Sequence, residues 1–172
     1  MTNQVLAFDA NGGTCALATT NCAVPGKYGL FPTPVRKGHA FQGWFTEPDG
    51  GDRVKKGNEV TPEPARTLFA HWTPVSYAVA YAYAGGKKGS HTPTNAVFGT
   101  AFYVSAPTKA NCAFAGWTVT KGLDSSTAKW GKTSNPATAI ASAGTKCLNG
   151  EKGNVYFRDL RSSAGSVTLT AN

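Results

Sequence analysis

The sequence of 172 residues is short of several residue types, and each shortage narrows the choice of fold and function. Charged residues make up only 15% and hydrophobic residues 41%, which excludes a disordered polyelectrolyte and allows a packed core. There is one Met, and Leu and Ile are few, so the core must be built from Val, Phe, Tyr, Trp and Ala. No apolar run approaches the length of a membrane span, so we expect no membrane insertion.

Motifs that mark catalytic or cofactor sites are also missing. The sequence has no H-E-x-x-H zinc motif, no P-loop, no G-x-S-x-G nucleophile motif and no EF-hand series. Glu47, Asp49 and Asp52 lie close together and offer oxygen ligands for a weak Ca²⁺ site, but their spacing follows no known loop pattern. We therefore expect a protein that is not an enzyme, with no catalytic residue, no cofactor and no metal ion.

The charge is strongly basic but contains no long basic run. The formal net charge is +8 and the pI is about 9.5, with the cations scattered along the chain. Such a field favours anionic surfaces, which include cell-wall polymers, sulfated glycans, lipid head groups and nucleic acid. The net charge alone does not distinguish among these anionic partners. It is also consistent with a basic surface that has no dedicated partner. Our expectation is that nucleic acid is not a partner.

A repeated motif is the strongest signal in the sequence. Phe-x-Gly-Trp occurs at Phe41–Trp44 and again at Phe114–Trp117. The offset between these two copies also relates other pairs, without a gap, over about forty positions. These pairs include Phe8 and Tyr81, Gly12 and Gly85, Gly13 and Gly86, Pro34 and Pro107, and Arg36 and Lys109. The repeat predicts two tandem modules, residues 1–74 and 75–172.

The composition predicts that each module is mainly β with a minor helical part. Twenty Gly and ten Pro, with many Thr and Ser, favour strands joined by tight turns. In the first module, alternating apolar residues predict strands at Val5–Ala10, His39–Thr46 and Thr67–Thr73, and Tyr28–Phe31 predicts a brief one. Thr14–Lys27 is predicted as a loop or one short helix.

The two modules differ after the repeated Trp. The stretch from Trp117 to Ala171 is about twice as long as the equivalent stretch from Trp44 to Ala70. The second module therefore carries an insertion, at about 120–160. Within the insertion, the sequence predicts an extra strand at 155–157 and a helical turn at 136–142.

The end of the second module lacks one part of the repeat. Asn172 stands where His71 stands in the first module, and the position of Trp72 has no counterpart. We expect the sequence to be a segment cut between tandem repeats, with a signal and an anchor outside it.

Four cysteines are divided two per module. Cys15 and Cys22 lie in the first, and Cys112 and Cys147 in the second. An even count divided in this way predicts one disulfide inside each module and an extracytoplasmic location, with zinc binding or free thiols as alternatives. A bond between Cys112 and Cys147 would tether the insertion to the central strand.

The tryptophans divide into core candidates and one candidate for recognition. Trp44, Trp72 and Trp117 occupy repeated strand positions, so we expect them in the cores, with sugar stacking as the alternative. Trp130 lies in the insertion between Lys129 and Lys132. It is a candidate contact for an anionic glycan or a partner protein, or it pins the insertion to the sheet.

The first module carries an ordered series of motifs. F-D-A-N-G-G stands at Phe8–Gly13, P-x-P-x-R-x-G-x-x-F-x-G-W-F-T at Pro32–Thr46 and T-L-F-A-H-W at Thr67–Trp72. This series resembles the Listeria–Bacteroides repeat, the family of the internalin B-repeats, and residues 77–119 and 167–172 resemble it more loosely. The cysteine pairs and the insertion depart from the common pattern, as do His39 and Cys112, where the family usually has an aromatic residue.

The resemblance implies a β-grasp-like fold in each module, a small mixed sheet crossed by a short segment. It implies tandem arrays on secreted and cell-surface bacterial proteins, with no catalytic residues. We therefore expect an extracellular or cell-surface repeat that acts as a stalk, adhesion or assembly module. Its partner would be a surface protein or glycan of a host or neighbouring cell, or another copy. The alternatives are a module that binds carbohydrate or an anionic polymer around Trp130, and self-assembly by pairing of edge strands.

Overall fold

The computed structural model of the protein describes residues 2–62, 65–148 and 153–172. The chain forms two compact units, Met1–Thr73 and Pro74–Asn172. The described residues contain fourteen strands and no helix. The prediction of a mainly β fold is confirmed, but the minor helical part is wrong. Residues 14–27 and 136–142 each contain a strand instead, in keeping with their Thr residues, whose β-branched side chains favour extended backbone.

The first unit is built on one five-stranded sheet. Its strands are β1 (Thr2–Asp9), β2 (Thr19–Val24), β3 (His39–Phe45), β4 (Arg53–Val54) and β5 (Ala65–Pro74). Their spatial order is β2-β1-β5-β3-β4, with β1 parallel to β5 and antiparallel to β2. A parallel pair needs a long crossover connection, and the chain provides it by passing through β2, β3 and β4 between β1 and β5.

The core of the first unit is formed by alternate side chains of its strands. On β1, Leu6 and Phe8 are buried, while Val5 and Asp9 face solvent. Trp44 on β3 is 2% exposed, and its ring centroid lies 4.8 Å from that of Phe8. The prediction that Trp44 is a core residue is therefore confirmed. The buried cluster also contains Cys22, Tyr28, Val54, Val60, Leu68 and Ala70.

Nine of the described strands belong to the second unit. They are β6 (Ser76–Ala82), β7 (Asn95–Val97), β8 (Phe102–Val104), β9 (Gly116–Lys121), β10 (Lys129–Gly131), β11 (Thr138–Ala139), β12 (Lys146–Leu148), β13 (Val155–Arg158) and β14 (Ser166–Ala171). Five of them form a sheet in the order β12-β9-β14-β6-β7, with β6 and β14 parallel. Phe8 lies opposite Leu68 in the first unit, and Tyr81 opposite Leu169 in the second, so the central parallel pairs share their register.

The insertion of the second unit builds most of a further sheet. Its order is β11-β10-β13-β8, so the insertion contributes three of the four strands, and β13 pairs directly with β8. The predicted extra strand at 155–157 is confirmed as part of β13, which is antiparallel to both β10 and β8. β12, which is also part of the insertion, pairs with β9 at the edge of the five-stranded sheet. Buried Val155, Phe157 and Leu160 join Trp117 and Leu169 in the core of this unit.

Two predicted strands differ in the structure. The central strand of the second unit begins at Gly116, so Cys112 is not on it, and Cys112 instead closes a turn that contains Asn111 with a φ of 57°. Residues 28–31 form no strand. Tyr28 is buried there, and its backbone N–H donates a hydrogen bond of 2.9 Å to the carbonyl oxygen of Asn58.

Candidate functional site

The turn after the first strand is held by the same hydrogen bond in both units. In the first unit, the N–H of Gly13 donates to the carbonyl oxygen of Ala10 at 2.9 Å. In the second, the N–H of Gly86 donates to that of Tyr83, also at 2.9 Å. The constant sequence offset between the two modules therefore extends to the backbone, and equivalent positions can be compared one by one.

A basic side chain fastens this turn in each unit. Nη1 of Arg36 donates to the carbonyl oxygen of Asn11 at 3.2 Å, and Nζ of Lys109 donates to that of Ala84 at 2.8 Å. Asn11 and Ala84 have φ values of 45° and 52°, a conformation that turns their carbonyl groups away from the strand. The repeated Arg36 and Lys109 thus have the same structural role.

In the first unit, an indole ring packs against this turn. Nε1 of Trp72 donates a hydrogen bond of 2.9 Å to the carbonyl oxygen of Ala10. The ring centroids of Trp72 and Phe41 are 5.4 Å apart. A Cβ atom placed on Gly13 would lie 2.7 Å from the indole, so this position of the repeat needs glycine. The indole of Trp72 therefore contacts three groups: the carbonyl oxygen of Ala10, the backbone of Gly13 and the ring of Phe41.

In the second unit, the residues equivalent to these three line an open groove. They are Tyr83, Gly86 and Phe114, which correspond to Ala10, Gly13 and Phe41. The groove has a volume of about 230 Å³, and its lining also includes Lys109, Cys112, Ala171 and Asn172. This volume is below the roughly 300–1,000 Å³ of drug-sized ligand sites, so it suits a single side chain.

The lining of the groove combines aromatic rings with polar groups. Phe114 and Tyr83 rest on the fully buried Trp117, with ring centroids 5.5 and 6.1 Å from it, so the apolar floor is rigidly supported. Cys112 is exposed and contributes a thiol to the wall, and Lys109 contributes a cation. The arrangement is suited to holding an aromatic ring beside a hydrogen-bond acceptor.

Comparison with known proteins places the first unit in a family. Residues 5–71 match the family model of the Listeria-Bacteroides repeat domain. The first unit is a Listeria-Bacteroides repeat domain. That family is typical of bacterial surface proteins. No curated protein and no solved structure matches the chain.

The four cysteines do not form the two predicted disulfides. All four are free thiols in the structure. Cys147 is fully buried opposite Trp117, whereas Cys112 lies exposed in a turn outside the central strand, so the predicted tether is wrong. In the repeat domain, Cys22 is buried on β2 and Sγ of Cys15 donates to the carbonyl oxygen of Leu17 at 3.2 Å. The cysteines therefore give no support for an extracytoplasmic location.

Burial changes the chemistry of the thiols. It raises the pKa of the Cys147 thiol to about 12, and it also raises the pKa of the Cys22 thiol. A thiol reacts as its thiolate, so both of these cysteines are poorly reactive at neutral pH.

The candidate contact residues of the insertion lie on or next to β10. Trp130 is half-buried and packs against the core cluster of the second unit, opposite Phe157 on β13 and Thr138 on β11. Lys129 is half-buried, and Lys132 is exposed in the turn that follows. The packing of Trp130 shows that it attaches the insertion to the unit. Its contact with a ligand, and that of the two lysines, stays a prediction.

The described ranges contain no metal-binding cluster and no membrane-spanning helix. Within residues 2–62, 65–148 and 153–172, no three His, Cys, Asp or Glu side chains converge in a way that could hold a metal ion. Over the same ranges, no helix has the length and apolar character needed to cross a membrane.

Sequence reasoning missed the groove. Its floor residues, Tyr83 and Phe114, were identified only as members of a repeated pattern. The sequence signal for the groove is the constant offset that relates Ala10, Gly13 and Phe41 to three of its lining residues. The offset does not show that these residues line one groove, which only the structure provides.

Proposed function

We propose that the chain is a non-enzymatic repeat segment of a bacterial surface or secreted protein, in which the units act as a stalk that spaces other parts of that protein from the cell. The observation that carries the proposal is the shared strand order of the two units, one of which is a Listeria-Bacteroides repeat domain. On this proposal, the second unit is a diverged copy of the same repeat with an insertion. Units that repeat in tandem add length without a new core topology.

The connection between the units supports a spacing role. β5 ends at Pro74 and β6 begins at Ser76, so Val75 alone separates the two strands. A long Gly- and Ser-rich linker would behave as a flexible coil, and these residues supply none. The recognition function of the full protein would then belong to other segments or to variable loops such as those of the insertion.

The stalk proposal is tested by changing the number of units in the source bacterium. The protein carries an epitope tag at the end that is distal to the cell, and antibody binding is measured on intact cells. We expect deletion of the second unit to lower antibody binding several-fold, and replacement of that unit by a second copy of residues 1–73 to restore it. Loss of the tag from the cell surface in every variant, or a tag that is never accessible, would contradict the proposal.

Assembly through a sheet edge is the second candidate, and β2 favours it. β2 is a six-residue strand at the edge of its sheet and, among the described strands, pairs only with β1. Its sequence, TTNCAV, contains none of the charged residues that usually protect an edge from pairing with another chain. A strand of a second copy, or of a surface protein on another cell, could then add to this edge.

Light scattering against protein concentration tests this second candidate. The exposed Asn21 lies on β2, and Asn21→Lys places a charge on the edge. The matched control is Thr67→Lys, an exposed position on β5 inside the same sheet. Polymers that grow with concentration and disappear only in Asn21→Lys support the candidate. A strict monomer at high concentration excludes it.

A further inference from the structure

The four-stranded sheet of the second unit has one face in the core and one face outside it. Phe157 on β13 is fully buried and lies opposite Trp130 and Phe102, which pack against the same core. Successive side chains of a strand point to opposite faces, so Tyr156 and Tyr103 lie together on the outer face. Both tyrosines are half-buried, and their ring centroids are 5.6 Å apart.

A third ring extends this pair into a short aromatic row. The imidazole of His91 stacks on Tyr103, with a centroid separation of 3.9 Å and an interplanar angle of 17°. At the other end, a Cβ atom placed on Gly131, opposite Tyr156, would lie 3.0 Å from Cα of Pro136, so the turn after β10 closes the row there. Neighbouring strands are about 4.8 Å apart, so a row across this part of the sheet is about 10 Å long, the length of a disaccharide.

Two cations lie beside the aromatic row on the same face. Lys129 on β10 and Arg158 on β13 are directly opposite each other, and Arg158 lies two residues after Tyr156. Like charges that face each other across a sheet destabilise it. Asp159 offsets this repulsion only in part, because its Oδ2 is 3.7 Å from Nε of Arg158 and its Oδ1 accepts a hydrogen bond from the N–H of Gly99. Within the described ranges, Lys129 forms no ion pair, so an anion bound between the two cations would stabilise this face.

Polar groups that can orient a ligand border the row. The hydroxyl groups of Tyr103 and Tyr156 make no hydrogen bond to any residue in the described ranges, and neither is enclosed in the core. The exposed Asn154 lies two residues before Tyr156, and its Oδ1 accepts a hydrogen bond from Oγ of Ser105 at 3.3 Å. The outer face therefore presents an amide, then aromatic rings, then a pair of cations.

We propose that this face binds an acidic polysaccharide, with a sugar ring on Tyr103 and Tyr156 and its carboxylate between Lys129 and Arg158. The C–H groups on one face of a sugar ring are apolar and pack on aromatic rings, and its hydroxyl groups bind to the polar border. A guanidinium group binds a carboxylate through two parallel hydrogen bonds. A carboxylated sugar thus supplies partners for all three features in one molecule.

The number and position of the cations favour this ligand over a nucleic acid. Proteins that bind single strands combine stacking rings with a basic groove that follows a phosphate at every nucleotide. Here one pair of cations stands at one side of the rings, which suits a single carboxylate on a sugar. This site goes beyond the spacing role and does not rest on it.

Titration of the full chain with defined oligomers tests the proposal. The probe is tetragalacturonate, followed by calorimetry or by chemical shifts in NMR spectra at low salt. We expect a dissociation constant of about 1 mM or below. The fully methyl-esterified oligomer keeps the sugar rings without charge, and tetraglutamate keeps the carboxylates without sugar rings. Each of these controls should bind at least about 5-fold more weakly.

The same titrations contain the results that would overturn the proposal. Equal binding of tetraglutamate would show attraction to negative charge alone. Equal or tighter binding of tetrauridylate would assign the face to nucleic acid. Absence of tetragalacturonate binding up to about 10 mM would exclude the site.

Replacement of the tyrosines tests the aromatic row. Tyr103→Leu and Tyr156→Leu keep apolar bulk but remove the rings, and each should weaken tetragalacturonate binding at least about 5-fold. The matched control is Phe45→Leu, a half-buried aromatic residue that also stacks on a histidine but lies in the first unit. It should bind as the parent chain does. The urea midpoint of each variant identifies any loss of fold, and folded tyrosine variants with unchanged binding would contradict the proposal.

Lys129→Gln should have two effects of opposite sign. Without ligand, removal of one of two opposed cations should raise the urea midpoint of the second unit. Binding of tetragalacturonate should weaken at least about 3-fold. The control is Lys121→Gln, at an exposed position on β9 in the other sheet of this unit, and it should change neither quantity. Unchanged binding in Lys129→Gln, or a midpoint below that of the parent chain, would overturn the role given to the cation pair.

Discussion

Nε1 of Trp72 donates a hydrogen bond of 2.9 Å to the carbonyl oxygen of Ala10, far earlier in the chain. The bond joins the end of the last strand of the first unit to the turn that follows its first strand. Because β1 and β5 are parallel neighbours, the indole closes the sheet at the end where both strands finish. A side chain at the end of the repeat therefore fixes a turn near its beginning.

Removal of this indole should loosen the repeat domain. Trp72 is half-buried, so we expect Trp72→Ala to lower the free energy of unfolding of the first unit by about 2–4 kcal/mol, less than the roughly 3–5 kcal/mol of a fully buried aromatic. Trp72→Phe keeps much of the ring and should cost about 1–2 kcal/mol, mainly from the lost hydrogen bond. Hydrogen exchange in urea, followed peptide by peptide, separates the two units. An unchanged exchange pattern at residues 8–13 would contradict the role of Trp72.

Much of the fold can be predicted from the sequence because the two copies of the repeat can be compared with each other, position by position. Trp44 and Trp117 recur at one offset, and a recurring large aromatic is a core position in each unit; both are buried. The extra strand of the insertion is predictable because Val155, Tyr156 and Phe157 form a run of β-favouring residues between polar segments. In each case, the local pattern and the tertiary packing agree.

The state of the cysteines, the start of the second central strand and the groove depend on three-dimensional contacts, which a single sequence does not show. The number of cysteines predicts two disulfides, but it carries no information on the burial of each thiol. In the structure, Cys112 is exposed and Cys147 is buried, and both are free. Sequence offset also placed Cys112 on a strand, since the pattern of the first unit begins its strand at His39. In the structure, the second copy of that strand begins only at Gly116, after the turn at Asn111. The groove lined by Phe114 and Tyr83 is also seen only in the structure.

The two core tryptophans should respond differently to the same substitution. Nε1 of Trp44 donates to the carbonyl oxygen of Pro32 at 3.0 Å, whereas Nε1 of Trp117 is buried without a hydrogen-bond partner among the described residues. A change to phenylalanine removes similar ring volume at both sites, but it breaks a hydrogen bond only at Trp44. We expect Trp44→Phe to cost about 1–2 kcal/mol more than Trp117→Phe, since the latter also removes an unsatisfied buried donor.

Urea unfolding with hydrogen exchange in each unit measures this difference. The two variants serve as controls for each other. A cost at Trp117 that equals or exceeds the cost at Trp44 would show that ring volume decides the effect and that the unpaired donor has no energetic consequence.

The thiols should differ in reactivity in the order of their exposure. Intact mass without reductant should equal the mass of the fully reduced chain, because all four cysteines are free. Exposed Cys112 should be alkylated first, and buried Cys147 last, on the timescale of global unfolding. A mass lower by two or four hydrogens would contradict the structure.

The second unit should lose stability at alkaline pH through Cys147. Burial raises the pKa of its thiol to about 12, from a value of 9.0 when unburied. The folded state therefore holds the proton more tightly than the unfolded state. The resulting stability is fully present below about pH 9 and is lost as the pH rises through about 12. Burial also raises the pKa of Tyr77 to about 12, so a variant is needed to separate the two groups.

Cys147→Ala provides that separation. It lowers stability at pH 7 by leaving a small cavity, but its stability should fall less steeply between about pH 9 and 12 than that of the parent chain. The measurement is the urea midpoint of residues 74–172 by hydrogen exchange or fluorescence at each pH. Parallel pH curves for the two proteins would contradict the assignment to Cys147.

An acidic group should act in the opposite direction. Desolvation by burial tends to raise the pKa of Asp124, but hydrogen bonds from Ser163 and Ser162 and the charge of Arg161 outweigh it, so that pKa is lowered. Nη2 of Arg161 lies 3.0 Å from Oδ2 of Asp124, and the pair holds the loop before β14 against the segment after β9. The folded state therefore favours the ionised carboxylate. Its contribution is present above the unfolded pKa of about 3.9 and is lost as the pH falls below it.

Asp124→Asn tests this contribution in the second unit. Because the Asp124 side chain is 29% exposed, we expect a loss of only about 1 kcal/mol at pH 7. The difference from the parent chain should shrink as the pH falls below about 4, where the parent carboxyl also becomes neutral. The control is Asp49→Asn, an exposed carboxyl in the first unit, which should leave the second unit unchanged at every pH. A difference that stays constant from pH 7 to pH 2 would mean that the amide disturbs packing and that the charge of Asp124 has no part in holding the loop.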